Sequence, residues 1–74
     1  MPESPPIYRI VEVTGTSSES VTDAIANAVA RASKTLRNLD WFNVEDIRGR
    51  ISEDGTIHSF QVTSKIGFRL EDTD

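Results

Sequence analysis

Few residue types in this chain could support catalysis or hold a metal. The sequence has 74 residues, with a single histidine, His58, and no cysteine. A Cys-His pair is therefore excluded, and a Ser-His-Asp triad would depend on His58 alone, without supporting spacing. The acidic residues lack the spacing of a calcium loop, and residues 15–20 match no phosphate-binding pattern. We therefore expect no catalytic residue and no metal site.

One enzymatic alternative depends on Pro2, which would become the first residue if Met1 were removed. Small tautomerases of similar size use such a proline as a general base. Here residues 3–6 separate Pro2 from Ile7, where the first strand is expected to begin. A general base must be held within hydrogen-bond reach of its proton, which an arm does not provide. We therefore expect a non-catalytic protein; a tautomerase would require Pro2-dependent turnover of an enol substrate.

Trp41 and Gln61 have side chains that could bind a flat ligand. An indole stacks well on extended aromatic rings, but tryptophan is also enriched in protein interfaces. The primary amide of Gln61 presents a donor beside an acceptor, which matches the edge of a pyrimidine-like ring. From residue types alone, Trp41 is either a ligand platform or an interface anchor.

A strand and a helix are predicted in the first half of the chain. Residues 7–15 are rich in β-branched side chains, which is typical of a strand. From Ser20 to about Asn38 the apolar residues recur at steps of three and four, which predicts a helix. Ser20 and Asp23 have the spacing of a capping box at its start.

Two further strands, at about 40–51 and 56–70, are predicted to form a hairpin through Asp54 and Gly55. The fold class is therefore α+β, with a strand-helix-strand-strand order. We expect a three-stranded antiparallel sheet wrapped on one helix.

The register of this hairpin follows from strand parity. The apolar residues of the second strand change parity halfway, and a bulge near Glu45 and Asp46 would return them all to one face. If Asp54 and Gly55 are the loop, the expected neighbours are Ile47 and Val62, Arg48 and Gln61, Phe42 and Ile66, and Trp41 and Gly67. The outward face then carries Trp41, Arg48, Gln61, Lys65 and Arg69, with open space over Gly67 beside the indole.

Trp41 and Gln61 would be about six residues apart along this sheet, or roughly 20 Å at 3.3 Å per residue. A single flat ring that touches both must therefore lie between subunits. The small size of the chain and its lack of disulfides also favour an oligomer.

Composition limits the class of protein. With 36% hydrophobic and 27% charged residues, we expect one domain at 7–72, after a flexible arm at 1–6 and before a tail at 73–74. The net charge of −4 opposes nucleic-acid binding. No segment reads as a signal peptide or membrane span, so we expect a cytoplasmic protein without a membrane partner.

Three stretches, at residues 11–17 (VEVTGTS), 23–49 (DAIANAVARASKTLRNLDWFNVEDIRG) and 60–72 (FQVTSKIGFRLED), resemble the dodecins. These are small flavin-binding proteins of bacteria and archaea. The resemblance implies a hollow homododecamer in which pairs of flavins stack between symmetry-related tryptophans. Trp41 would then cover one flavin face, and Gln61 would hydrogen-bond the edge of the isoalloxazine ring.

The resemblance also bears on the choice of ligand. Arg48 matches an arginine of bacterial members, which favours FMN, with riboflavin or FAD as alternatives. Some bacterial relatives also bind coenzyme A, and Arg69 and Lys65 are candidate contacts. The implied function is storage and sequestration of flavin without catalysis, in which an indole quenches the excited ring by electron donation. The alternative is a coenzyme A binding or structural shell in which Trp41 serves assembly.

Overall fold

In the computed structural model, residues 5–71 are described. The elements are β1 (Tyr8–Ser17), α1 (Val21–Ala32), β2 (Leu39–Ile51) and β3 (Ile57–Arg69). β3 is the central strand and pairs antiparallel with β1 on one side and with β2 on the other. The predicted strand-helix-strand-strand unit is confirmed. Of the predicted arm and tail, residues 1–4 and 73–74 lie outside the described residues.

The start of α1 is as predicted at its N-cap, but its capping network differs. Ser20 is the N-cap, and its Oγ accepts the backbone N–H of Asp23 at 2.9 Å. The reciprocal bond of a capping box is missing at Asp23; the backbone N–H of Ser20 donates to Ser17 Oγ at 3.3 Å. The Ser17 hydroxyl also accepts the N–H of Glu19 at 2.8 Å and donates to Asp23 Oδ2 at 2.7 Å. The last residue of β1 therefore fixes the first turn of α1.

The helix ends at Ala32, and the expected end near Asn38 is wrong. Ser33 is the C-cap, and its Oγ donates to the carbonyl of Ala30 at 2.7 Å, which competes with a continuing helical hydrogen bond. The chain then turns more tightly, as in the 3.2 Å bond from the N–H of Thr35 to the carbonyl of Ala32. Asn38 has a positive φ of 64° immediately before β2. The apolar spacing therefore continues beyond the helix that it predicts.

The predicted register between β2 and β3 is confirmed through most of the hairpin. The pairs are Trp41 with Gly67, Phe42 with Ile66, Ile47 with Val62, and Arg48 with Gln61. The pairing shifts between Val44 and Asp46, so Glu45 is the bulge residue that parity required.

The hairpin turn is longer than expected. A two-residue loop of Asp54 and Gly55 would pair Glu53 with Thr56, but Ser52 takes that place, with a 2.8 Å bond from the N–H of Ser52 to the Thr56 carbonyl. Gly55 closes the turn with a 2.9 Å bond from its N–H to the Ser52 carbonyl, and its φ of 89° favours glycine. A second shift, between Arg50 and Ile51, restores the predicted register farther along the strands.

The core lies between α1 and the strands β1 and β3. The three buried alanines of α1, Ala24, Ala28 and Ala32, face this sheet together with the buried Val62 and Ile66. Gly15 allows the close approach, because a Cβ at this position would lie 2.8 Å from Ala28 Cβ and would collide with the Ala24 carbonyl. The helix therefore packs almost directly on the backbone of β1.

The helix covers little of the helix-facing side of β2. Phe42, Ile47 and Ile51 remain 51%, 55% and 78% exposed, and the nearby Ile57 is 64% exposed. The expected inward orientation places Phe42, Ile47 and Ile51 on the helix side of the sheet, but one helix is too narrow to bury them. We call Phe42, Ile47, Ile51 and Ile57 the apolar strip. Within residues 5–71, no helix is long and apolar enough to cross a membrane.

Candidate functional site

The outer face of the sheet, opposite α1, carries the residues that the sequence singled out. On β3 the buried Val62 and Ile66 point to the helix, so the alternate positions point away from it. The outward positions on β3 and on the paired parts of β2 include Trp41, Arg48, Gln61, Lys65 and Arg69. The outer face is therefore where these five residues meet the surroundings of the protomer.

Trp41 lies directly over Gly67, the residue opposite it on β3. A Cβ at Gly67 would collide with the indole, including Cδ2 at 2.7 Å. The expected open space beside the indole is therefore wrong, because the indole itself fills it. Trp41 stays 40% exposed, whereas Gly67 is buried. The strand supports one side of the ring system and leaves much of the remainder available for contact.

Tyr8 contacts the indole in a tilted arrangement on the outer side of the sheet, and Asp40 is its hydrogen-bond partner. The ring centroids of Tyr8 and Trp41 are 6.3 Å apart, at an interplanar angle of 56°. The Tyr8 hydroxyl donates to Asp40 Oδ2 at 2.7 Å. This hydrogen bond to a carboxylate raises the pKa of Tyr8, as do lost hydration and the negative charge of Asp40, against the opposing charge of Arg69.

Sequence reasoning missed both Tyr8 and Asp40 as neighbours of Trp41. The signal was present in β1, where Tyr8, Ile10 and Glu12 alternate with Val11 and Val13 and so share the face opposite the helix. No such pattern indicates that Asp40 lies near Tyr8. It lies in a local pairing shift between Leu39 and Trp41, which the sequence did not indicate.

Lys65 and Arg69 flank Gly67 along β3, on the same face as Trp41. Lys65 Nζ lies 3.9 Å from Glu45 Oε1, and Glu45 also accepts a 2.7 Å bond from Asn43 Nδ2. The backbone of Arg69 is held by Asn38, through bonds of 3.0 and 3.3 Å. Lys65 and Arg69 thus offer cationic groups on either side of Gly67, with the carboxylates of Glu45 and Asp40 close by.

Arg48 and Gln61 form a second group nearer the hairpin turn. They are neighbours across β2 and β3, and Gln61 is half-buried. Arg48 is well exposed and directs its Nε to Asp46 Oδ2 at 2.9 Å. The Arg48 guanidinium is therefore paired with Asp46 and not with the Gln61 amide. That amide can then form hydrogen bonds with the edge of a ligand.

The structure does not bring Trp41 and Gln61 together within one protomer. Gln61 and the partner of Trp41, Gly67, are separated by 67 − 61 = 6 positions on β3, or roughly 20 Å. A hollow of about 120 Å³ beside Trp41 is also lined by Val29, Phe42 and Ile66, so it lies on the helix side of the sheet and not on the outer face. Trp41 and Gln61 therefore form separate parts of the outer face of one protomer, and a single ring that touched both would have to lie between copies.

Comparison with known proteins identifies close relatives over nearly the whole chain. Residues 7–71 match the family model described as Dodecin. The dodecin of Thermus thermophilus is 54% identical over 67 residues, covering 90% of this chain and 96% of that protein. A crystal structure of a Thermus thermophilus protein is 52% identical to this chain and superposes with a TM-score of 0.87. The match covers 93% of this chain and 100% of that chain. A dodecin structure from Streptomyces davaonensis shares 49% identity with a TM-score of 0.88, at the same 93% and 100% coverage.

Proposed function

The chain belongs to the dodecin family, and from this premise we propose that it binds flavin without catalysis, to store and sequester it. Family membership implies self-assembly, and we propose the hollow homododecamer expected of dodecins. FMN is the favoured ligand, and riboflavin and FAD are further candidates. The flavins would lie in pairs between the tryptophans of neighbouring copies.

The placement of Trp41 over Gly67 is the observation that carries this proposal. The glycine supports the indole from one side, and the ring is exposed enough to stack on a flat ligand. These residues therefore fit an isoalloxazine ring. A bound flavin would supply a planar ring system that absorbs light and accepts electrons, and Trp41 would contact it as the nearest electron donor.

Gln61 and the cationic residues of the outer face would complete the site from neighbouring copies. The Gln61 amide can both donate to and accept from the polar edge of the ring. Arg48, Lys65 and Arg69 would attract the phosphate of FMN, which riboflavin lacks. We therefore expect FMN to bind more tightly than riboflavin at low ionic strength, and salt to reduce the difference.

A fluorescence titration tests the proposal. FMN emission should fall as protein is added, because Trp41 quenches the stacked ring. Trp41→Ala should weaken binding about tenfold or more, which corresponds to about 1.4 kcal/mol, whereas Trp41→Phe should retain part of the affinity. The mass of each variant, measured by light scattering, separates lost binding from lost assembly. Unchanged FMN emission at saturating native protein would exclude a flavin site.

The cationic side chains around Trp41 also favour a second candidate, a shell that binds coenzyme A or serves only a structural role. In that case Lys65 and Arg69 would contact the phosphates of coenzyme A, and Trp41 would hold copies together. The native protein would then leave FMN emission unchanged, and Trp41→Ala would break the assembly in size-exclusion chromatography.

A further inference from the structure

Trp41, Tyr8 and Asp40 form a continuous chain of contacts on the outer face. The aromatic rings of Tyr8 and Trp41 are 6.3 Å apart between centroids, which is a contact distance for tilted rings. The Tyr8 hydroxyl is hydrogen-bonded to Asp40 Oδ2 at 2.7 Å. The electron donor Tyr8 therefore touches the indole with its ring, and its hydroxyl is bonded to the proton acceptor Asp40.

We propose that Tyr8 and Asp40 form a proton-coupled relay that returns an electron to Trp41 after the indole has been oxidised. The proposal rests on the proposed function, since an excited flavin stacked on Trp41 would be its natural one-electron oxidant. Any other one-electron oxidant of the indole would engage the same residues.

The relay step balances in electrons and protons. One electron passes from the Tyr8 ring to the Trp41 radical cation, and the phenolic proton passes from Tyr8 Oη to Asp40 Oδ2. The products are neutral Trp41, a neutral tyrosyl radical and a protonated Asp40. In this step the phenolic O–H is broken and the O–H of the carboxylic acid is formed in its place. An indolyl radical, which has already lost its Nε1 proton to water, takes a proton back from water as it is reduced.

The hydrogen bond to Asp40 is what makes this direction favourable. A phenol that loses an electron becomes a very strong acid, so tyrosine is oxidised readily only where a base can take the proton. Asp40 is positioned for this transfer at hydrogen-bond distance, and the carboxylate accepts without rearrangement. When the oxidant does not return the electron that it took from Trp41, the relay reduces the indole radical before that radical reacts with other groups.

A purely structural role of Tyr8 would predict a different behaviour. As a brace, the Tyr8 ring would only fix the orientation of Trp41, and Tyr8→Phe would change little. As an electron donor, the phenol itself is required, and phenylalanine cannot replace it. Removing the hydroxyl in Tyr8→Phe therefore distinguishes an electron donor from a structural brace.

Pulse radiolysis of the flavin-free protein tests the relay. Azide radicals oxidise indoles selectively at neutral pH, and the chain contains one Trp and one Tyr, so each radical has a single assignment. In the native protein the indolyl absorption should decay as the tyrosyl absorption grows, at a rate independent of protein concentration. Tyr8→Phe should abolish the tyrosyl signal and prolong the indolyl radical. Asp40→Asn should slow the transfer roughly 100-fold, at the lower end of what a positioned proton acceptor contributes.

The relay would be overturned if the indolyl radical decayed equally fast in native protein and in Tyr8→Phe, or if Asp40→Asn transferred at the native rate. Circular dichroism and mass measurement confirm that both near-isosteric variants fold and assemble. Trp41→Phe should remove the indolyl signal and its coupled tyrosyl growth. Because the experiment contains no flavin, a failed relay and a failed FMN titration are distinguishable outcomes.

Discussion

Gly67 determines how Trp41 can be used, because any side chain there would occupy the place of the indole. Gly67→Ala should push the ring off the strand and weaken FMN binding about tenfold, equal to about 1.4 kcal/mol. Tryptophan emission and FMN titration report the displacement and the affinity. Thr14→Ala, on the same face of β1, should change neither. Native affinity in Gly67→Ala would show that the indole needs no support from β3.

Tyr8 should titrate above its usual pKa near 10, because the hydrogen bond to the Asp40 carboxylate favours the protonated phenol. Since it is the single tyrosine in the sequence, the phenolate absorbance reports it alone. Asp40→Asn should lower the midpoint. The folded protein holds this proton more tightly than the unfolded chain, so the stabilisation is complete below about pH 10 and is lost as the pH rises through the folded pKa. An unshifted midpoint in the native protein would contradict the bond.

Ser64 is a polar residue buried in the apolar core. It is 1% exposed, and its Oγ has no hydrogen-bond partner within residues 5–71. Ser64→Ala should therefore raise the free energy of unfolding by about 1 kcal/mol, because it removes an unpaired buried hydroxyl. Thr63→Ala is the matched control, since its hydroxyl is bonded to that of Thr14 at 2.8 Å on the outer face and its loss should slightly destabilise. A lower unfolding midpoint in Ser64→Ala would indicate a partner in the assembly.

At the scale of elements, the pairing of β2 with β3 was predictable through most of the hairpin, whereas the end of the helix was not. The parity change in β2 demanded a bulge, and Glu45 supplies it, so Trp41 and Arg48 were assigned to the correct neighbours. The hairpin register was correct although the loop was not, because the second pairing shift offsets the longer turn. The end of α1 was not predictable from periodicity, because a side-chain bond at Ser33 stops the helix while the apolar spacing continues.

The candidate site was predictable only in part, for a related reason. Alternation along a strand indicates which residues share the outer face, and it placed the five candidates there. It gives no information about which side chains turn towards each other. The indole turns over Gly67, and Asp40 reaches Tyr8 from a pairing shift, and both depend on three-dimensional packing.

The junction between β1 and α1 depends on one hydroxyl. Ser17 accepts two backbone N–H groups and donates to Asp23, whereas Ser20 accepts one. Ser17→Ala should therefore lower the free energy of unfolding by about 2 kcal/mol, at the upper end for helix caps, and Ser20→Ala by about 1 kcal/mol. Urea unfolding at fixed protein concentration measures both. Ser33→Ala at the other end of the helix, where the hydroxyl is exposed, should cost less than either, and the reverse order would contradict this network.

At the scale of the whole molecule, the protomer is too extended to be self-sufficient. Its radius of gyration is 16.0 Å, whereas a compact chain of this length has about 11 Å. Its buried hydrophobic residues are few and mostly small. The uncovered apolar strip on β2 and the start of β3 adjoins this small core, so burial of the strip by other copies would supply the missing stabilisation.

Ile47 is the residue that tests this dependence most directly, since it is 55% exposed in the protomer but lies in the middle of the strip. Ile47→Asp should abolish or greatly weaken assembly, because each copy would place a carboxylate against apolar surface without a partner. Sedimentation velocity should show small species in place of the large assembly, and the thermal midpoint should become lower and more dependent on concentration. Ile47→Leu preserves the apolar volume and should leave the mass unchanged. If Ile47→Asp kept the native mass, the strip would not be an assembly surface, and the stability of this extended protomer would require another source.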